Sequence, residues 1–172
     1  LEGLYRHAVP VVPAVDLLHR DPGMIGEPAD QRRLACQVAG IGPPGGELGI
    51  RGFVSAFDAQ TGKELWKTHV VPAPGEPGSE TWPKGEEWKT GGGSVWVTAN
   101  YDPATNLSFW GTGNGGPWMG DQRPGDNLYI GSTVAIDVAT GQIKGHMQYN
   151  PNESWDWDEV SPPILVDYQR NG

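Results

Sequence analysis

An all-β fold of short strands and tight turns is what this 172-residue sequence predicts, on three observations. The chain holds 26 Gly and 16 Pro, residues that interrupt helix interiors and supply turns. It also holds 8 Trp, the kind of large aromatic that disordered chains of similar Gly and Pro content lack. Finally, an Asp-x-x-Thr turn signature recurs along the chain between runs that read as strands.

Residues 1–44 stand apart: they contain no Trp, Phe or Lys and show neither period-2 nor period-3.6 patterning. They are read as an unassigned N-terminal segment, with residues 45–172 as the folded unit. From Glu47 onward, strands alternate with turns. Gly52–Asp58 reads as a strand, Ala59–Gly62 as a turn with Gly62 at positive φ, and Lys63–Val71 as the returning strand. Residues 72–90 form a polar loop with four prolines, long enough to expect a role beyond connection. The pattern Asp58-x-x-Thr61-Gly62-x-x-x-Trp66 returns as Asp102-x-x-Thr105-Asn106-x-x-x-Trp110. It returns again as Asp137-x-x-Thr140-Gly141, with Gly145 in the tryptophan position. Recurrence at roughly 40 residues, with four short strands per unit, is the spacing of propeller blades.

The formal net charge of −9 repels phosphate backbones, so nucleic acid is not an expected partner and a cation is the more natural one. The single cysteine, Cys36, has no partner within the chain, and neither a CxxC nor a CxxCH motif occurs. No apolar run approaches the roughly 20 residues needed to span a bilayer. The start at Leu1 shows no signal-peptide pattern, so any export signal is expected outside these residues.

Four stretches carry the chemistry. Glu47 lies in Gly45-Gly46-Glu47-Leu48-Gly49, where backbone can approach a flat ligand and a carboxylate can meet a hard cation. Trp96 ends Gly91-Gly92-Gly93-Ser94-Val95-Trp96, an indole beside a hydroxyl that suits stacking on a planar ligand. Asn114, in Gly111-Thr112-Gly113-Asn114, offers a neutral oxygen ligand. Asp156, in Trp155-Asp156-Trp157-Asp158, is flanked by indoles that would desolvate it and make it a better base. On a strand, Asp156 and Asp158 would point to one side and approach a single cation together. By residue type alone each also reads as something plainer: a loop glutamate, a core tryptophan, a turn asparagine, solvated acids.

Taken in order and at their intervals, these stretches and Arg123-Pro124-Gly125-Asp126-Asn127 resemble the pyrroloquinoline quinone (PQQ)-dependent alcohol dehydrogenases, the methanol and ethanol quinoprotein dehydrogenases. The resemblance covers roughly residues 45–172 and implies a β-propeller segment, about three blades of an eight-bladed quinoprotein propeller. It implies PQQ contacts from Gly45, Gly46, Ser94 and Trp96, with Trp96 under the ring. It implies metal ligation by Glu47, Asn114 and Asp156, and oxidation of an alcohol to an aldehyde or ketone with Asp156 as base. Asp158 resembles the additional ligand of the lanthanide-dependent branch, so the ion is calcium or a lanthanide. Trp66 and Trp110 resemble the tryptophan-docking motif that ties blades together. A small alcohol substrate, a cytochrome c-type electron acceptor and a periplasmic location are further implications.

Some positions depart from the family. Pro44 stands where the family has serine, which removes a donor, and Ser94 stands where it has threonine. The family's adjacent-cysteine disulfide is expected upstream and its cofactor-binding arginine downstream of Gly172. The rival readings are a non-catalytic propeller scaffold and a truncated pseudo-enzyme. A scaffold has no reason to keep Glu47, Asn114 and Asp156 together.

Overall fold

A computed structural model describes residues 35–40, 49–58 and 60–166 of the chain. Apart from three short 3-10 turns, the regular elements among these residues are strands. β1 (Ala35–Gly40), β2 (Phe53–Asp58) and β3 (Glu64–His69) form one antiparallel sheet in chain order. β4 (Asn100–Asp102), β5 (Leu107–Gly111), β6 (Ser132–Asp137) and β7 (Ile143–Gln148) form a second.

β1 falls inside the 1–44 segment that the sequence leaves unassigned, and it pairs with β2 from Ala35–Asp58 to Gly40–Phe53. Its six residues include one β-branched side chain, Val38, so local pattern gives little sign of a strand. β2 and β3 match the expected hairpin. The ladder stops at His69, but Val70 still donates to the Gly52 carbonyl at 2.9 Å, and Val70 and Val71 are fully buried.

The recurrent turn signature has a local cause. Asp58 Oδ1 accepts from the Thr61 amide at 2.8 Å and the Thr61 hydroxyl at 2.9 Å. Asp102 takes the Ala104 amide and the Thr105 hydroxyl, and Asp137 the Ala139 and Thr140 amides. Gly62 (φ 71), Asn106 (φ 57) and Gly141 (φ 75) then close the three turns in the left-handed region. The signature therefore belongs to hairpins rather than to blades, which corrects the expectation of one copy per unit. Asp102 joins β4 to β5 and Asp137 joins β6 to β7, both within the second sheet. Asp58 and Asp137 are the equivalent pair. Ala56 pairs with Trp66 as Ala135 pairs with Gly145, and each ladder is irregular just after that alanine.

Val54 from β2 and Val70 just after β3 pack with Val95, Trp110, Val134 and Ile136 in one buried cluster that joins the two sheets. Burying each such side chain stabilises the fold by about 1.5–3 kcal/mol. Trp66 adds the directional part. Its indole donates to the Val138 carbonyl at 3.0 Å, and Thr68 donates to the Gly141 carbonyl. This is the tie between sheets that the docking resemblance implies. Trp110 shares the spacing but lies in the core, 2% exposed, with its indole on Ser108 Oγ.

Loop 72–90 is anchored on Asn127, Leu128 and Gly91. Thr81 accepts from Asn127 and Leu128, the Trp82 indole donates to the Leu128 carbonyl, and the Trp82 ring lies against Gly91.

The sheet-to-sheet tie is testable. A Cβ on Gly141 would sit 2.6 Å from the Trp66 ring and force a side chain into positive φ. Gly141→Ala should therefore lower stability by about 1–3 kcal/mol. Trp66→Phe, which loses one hydrogen bond but keeps much of the ring, should cost about 1 kcal/mol. Urea denaturation of the complete protein checks both, and unchanged midpoints would remove the tie.

Candidate functional site

The site is built on backbone lying directly against backbone. Gly92 donates to the Ile50 carbonyl at 3.0 Å and Gly52 donates to the Gly92 carbonyl at 2.8 Å. On the other side Gly93 donates to Asn114 at 2.8 Å, Gly113 to Ser94 at 2.7 Å and Gly116 to Gly91 at 2.9 Å. Side chains cannot enter this contact: a Cβ on Gly52 would lie 1.8 Å from the Gly93 carbonyl oxygen, and one on Gly92 2.6 Å from that of Asn114. Glycine is required at both positions for that reason.

This ladder brings three expected site residues together. Ser94 and Asn114 are buried, at 5% and 2% exposure. Asp158 Oδ1 accepts from the Asn114 amide at 2.7 Å. All three meet at Gly113, where an added Cβ would lie 2.6 Å from Asp158 Oδ1 and 2.8 Å from Ser94 Oγ. Trp96, two residues beyond Ser94, is 38% exposed and has ring surface available. Gly45, Gly46 and Glu47 lie outside the described residues.

Asp156 differs from expectation in two ways. Its neighbours Trp155 and Trp157 are 74% and 64% exposed, so among the described residues they do not wall it off from solvent. Nor does it share a strand face with Asp158, because residues 153–160 belong to no strand and Asp156 turns the chain at φ 63. The alternation argument needs extended backbone, and a left-handed residue breaks it.

What shapes that loop went unread in the sequence. Glu153 is 1% exposed, and its Oε1 accepts from the amides of Trp155 and Trp157. Arg123 is fully buried. It donates to the Pro117 carbonyl at 2.8 Å, to Asn127 Oδ1 at 2.7 Å, to the Trp118 carbonyl at 3.2 Å and to the Glu153 carbonyl. Burial pushes its guanidinium below the usual arginine range, and the Glu153 charge opposes that shift. Asn152, at φ 51, donates to the Gly125 carbonyl and to Asn127 Oδ1, each at 2.9 Å. The available signal was modest: Arg123 is the one arginine between Arg51 and Arg170, and it opens the Arg123–Asn127 stretch that shares in the family resemblance.

Among the described residues no three His, Cys, Asp or Glu side chains form a metal-holding group. The side chains present nonetheless carry hard oxygens: Asn114 has an amide oxygen, its backbone N–H holds the Asp158 carboxylate, and Asp156 is two residues away, a donor set that fits calcium or a lanthanide. The Trp96 ring and the Ser94 hydroxyl, beside a Gly113 that admits no Cβ, fit a planar polar cofactor.

The family model of the PQQ-containing glucose/ethanol/alcohol dehydrogenase β-propeller domain matches residues 43–172. The chain is 40% identical over 146 residues to the quinohemoprotein alcohol dehydrogenase of Comamonas testosteroni, covering 77% of this chain and 21% of the relative. It is 36% identical over 143 residues to methanol dehydrogenase (cytochrome c) subunit 1 of Methylorubrum extorquens, covering 73% of this chain and 23% of the relative. The structure of a europium-containing methanol dehydrogenase superposes with a TM-score of 0.69 at 36% identity, over 78% of this chain and 26% of that one. The chain thus spans about a fifth to a quarter of the length of the proteins it matches.

Replacing Arg123 by Lys keeps the charge but loses the planar fork that serves four acceptors on two loops, while Arg123→Met strands Glu153 as well. We expect Arg123→Met to cost about 3–5 kcal/mol and Arg123→Lys to recover only a minor part. Gly115→Ala, whose Cβ would lie 2.3 Å from Arg123 Cζ, should destabilise in the same direction. Thermal unfolding of the complete protein measures all three, and a neutral Arg123→Lys would refute the fork.

Proposed function

The chain belongs to the PQQ-dependent dehydrogenase β-propeller family, an all-β propeller segment, and from that premise we propose that it forms part of the active site of a quinoprotein alcohol dehydrogenase. The observation that carries this reading is the meeting of Ser94, Asn114 and Asp158 at Gly113, with the Asp156 loop two residues from that point. Residues 45–172 are the partial propeller, to which β1 adds a strand.

In this reading the exposed face of Trp96 supports a planar cofactor and the Ser94 hydroxyl is a hydrogen-bond partner for it. Gly45 and Gly46 are assigned to the cofactor by the family resemblance alone. Asn114 and Asp158, with Glu47 and Asp156, hold a calcium or lanthanide ion. PQQ supplies the two-electron acceptor and the cation supplies the Lewis acid. Asp156 takes the hydroxyl proton of a small alcohol, which leaves as an aldehyde or ketone. Its exposure in the described segment gives that proton a route to water.

The likeness to the methanol dehydrogenase named for cytochrome c supports a cytochrome c-type acceptor, and a periplasmic setting is what the family resemblance implies. No helix among the described residues is long and apolar enough to cross a membrane. The europium-containing neighbour, with Asp158 against Asn114, favours a lanthanide over calcium, since a trivalent ion gains more from each added carboxylate.

Asp156→Asn should cut dye-linked alcohol oxidation by the complete PQQ-loaded protein about 10²–10⁴-fold while PQQ absorbance and affinity persist. Full activity would remove Asp156 from the chemistry. Asp158→Ala should lower lanthanum-supported activity more than calcium-supported activity. Equal support by both ions in the unmodified protein would defeat the lanthanide preference.

A further inference from the structure

Glu153 is a buried acid that the chemistry above does not use. It is 1% exposed, and its Oε1 is the common acceptor for two amides, Trp155 and Trp157, the latter at 3.1 Å. Those amides bracket Asp156, whose φ of 63 is a backbone conformation that L residues other than Gly adopt at a cost. One carboxylate oxygen thus clamps both sides of Asp156, the left-handed residue that carries the base. The other oxygen, Oε2, is buried without a hydrogen-bond partner. Even with Arg123 facing its charge, burying a carboxylate with one oxygen unpartnered carries a desolvation cost that a well-packed apolar side chain would not incur. Arg123 fixes the same residue from behind, donating to the Glu153 carbonyl and facing its charge. The acid is therefore immobilised through its backbone before its side chain reaches the amides.

We propose that Glu153 is a positioning residue for Asp156: it forms the 155–157 turn that presents the Asp156 carboxylate to the alcohol. This rests on the reading of Asp156 as the base. Acting through the turn, Glu153 should govern how well a bound alcohol is attacked rather than how tightly it binds.

The test combines steady-state kinetics with amide hydrogen exchange at Trp155 and Trp157, in the complete PQQ-loaded protein. Glu153→Ala should speed exchange at both amides about tenfold. It should lower kcat about tenfold to a hundredfold with KM within about twofold. Glu153→Gln retains an acceptor oxygen and should restore both protection and most of kcat. Glu153→Asp retains the charge but withdraws the oxygen, and should behave like Glu153→Ala. Asp156→Asn should cut turnover about 10²–10⁴-fold while leaving both amides protected. Undiminished kcat in Glu153→Ala or Glu153→Asp beside an inactive Asp156→Asn overturns the proposal and spares the base. An active Asp156→Asn overturns the base reading and the proposal together. Should Glu153→Ala fail to fold, the contrast between Glu153→Gln and Glu153→Asp decides it, and equal kcat in those two overturns the positioning role.

Discussion

The rest of the structure depends on backbone meeting backbone without side chains between. Ile50–Gly52, Gly91–Ser94 and Gly113–Gly116 lie close enough that four of the glycines could not accept a methyl group without a carbonyl, a guanidinium or a hydroxyl moving. Each glycine loses more conformational freedom on folding than any other residue, roughly 0.5–1 kcal/mol relative to alanine. The inter-segment hydrogen bonds offset that loss, each contributing about 0.5–1.5 kcal/mol net. The result is a narrow shelf on which Ser94 and Asn114 are set by the ladder itself. Side chains so placed have little rotamer freedom left, which is the condition for a preorganised binding site.

The same economy of local chemistry explains how much of the fold was legible and where reading went astray. Asp at the first turn position and Thr three residues on satisfy the turn from within, whatever sheet surrounds it. Such a signature marks hairpins reliably, and both β2–β3 and β6–β7 were visible for that reason. It carries no count of sheets, because the β4–β5 hairpin uses it too. The spacing to tryptophan was equally double-edged. Trp66 reaches across to Val138, whereas Trp110 on a central strand turns into the core. Sequence offset fixes where an indole starts, and strand position in the sheet fixes what it meets.

At the site, residues defined by neighbours close in sequence were the readable ones. The Gly-rich approach to Ser94 and the turn at Asn114 are encoded within a few residues each. Asp156 was read from its immediate flanks, and the flanks misled: desolvation by Trp155 and Trp157 presumed indoles packed over the carboxylate, while both rings stand largely in solvent among the described residues. Glu153 and Arg123 stayed hidden for a different reason. Their contact with each other spans thirty positions of the chain, and nothing local marks an acid or an arginine as buried.

That hidden pair also shows what a buried charge is for. Removing two charges from water costs several kcal/mol per ion, and apolar replacements of similar volume are often as stable. Arg123 and Glu153 are therefore poor candidates for pure stabilisers. Their value is directional. An apolar side chain could fill the space between loop 117–127 and loop 152–158, but it could not select one register of Pro117, Trp118 and Glu153 carbonyls around a single fork. It also could not gather the Trp155 and Trp157 amides onto one oxygen. The glycine shelf sets where Asn114 and Ser94 stand, and the buried pair sets where the chain passes at Asp156. Asp158, bonded to the Asn114 amide, is the point where the two constraints meet. An error of one ångström in either support would reach the other through that bond, so the shelf and the loop have to be built as one unit.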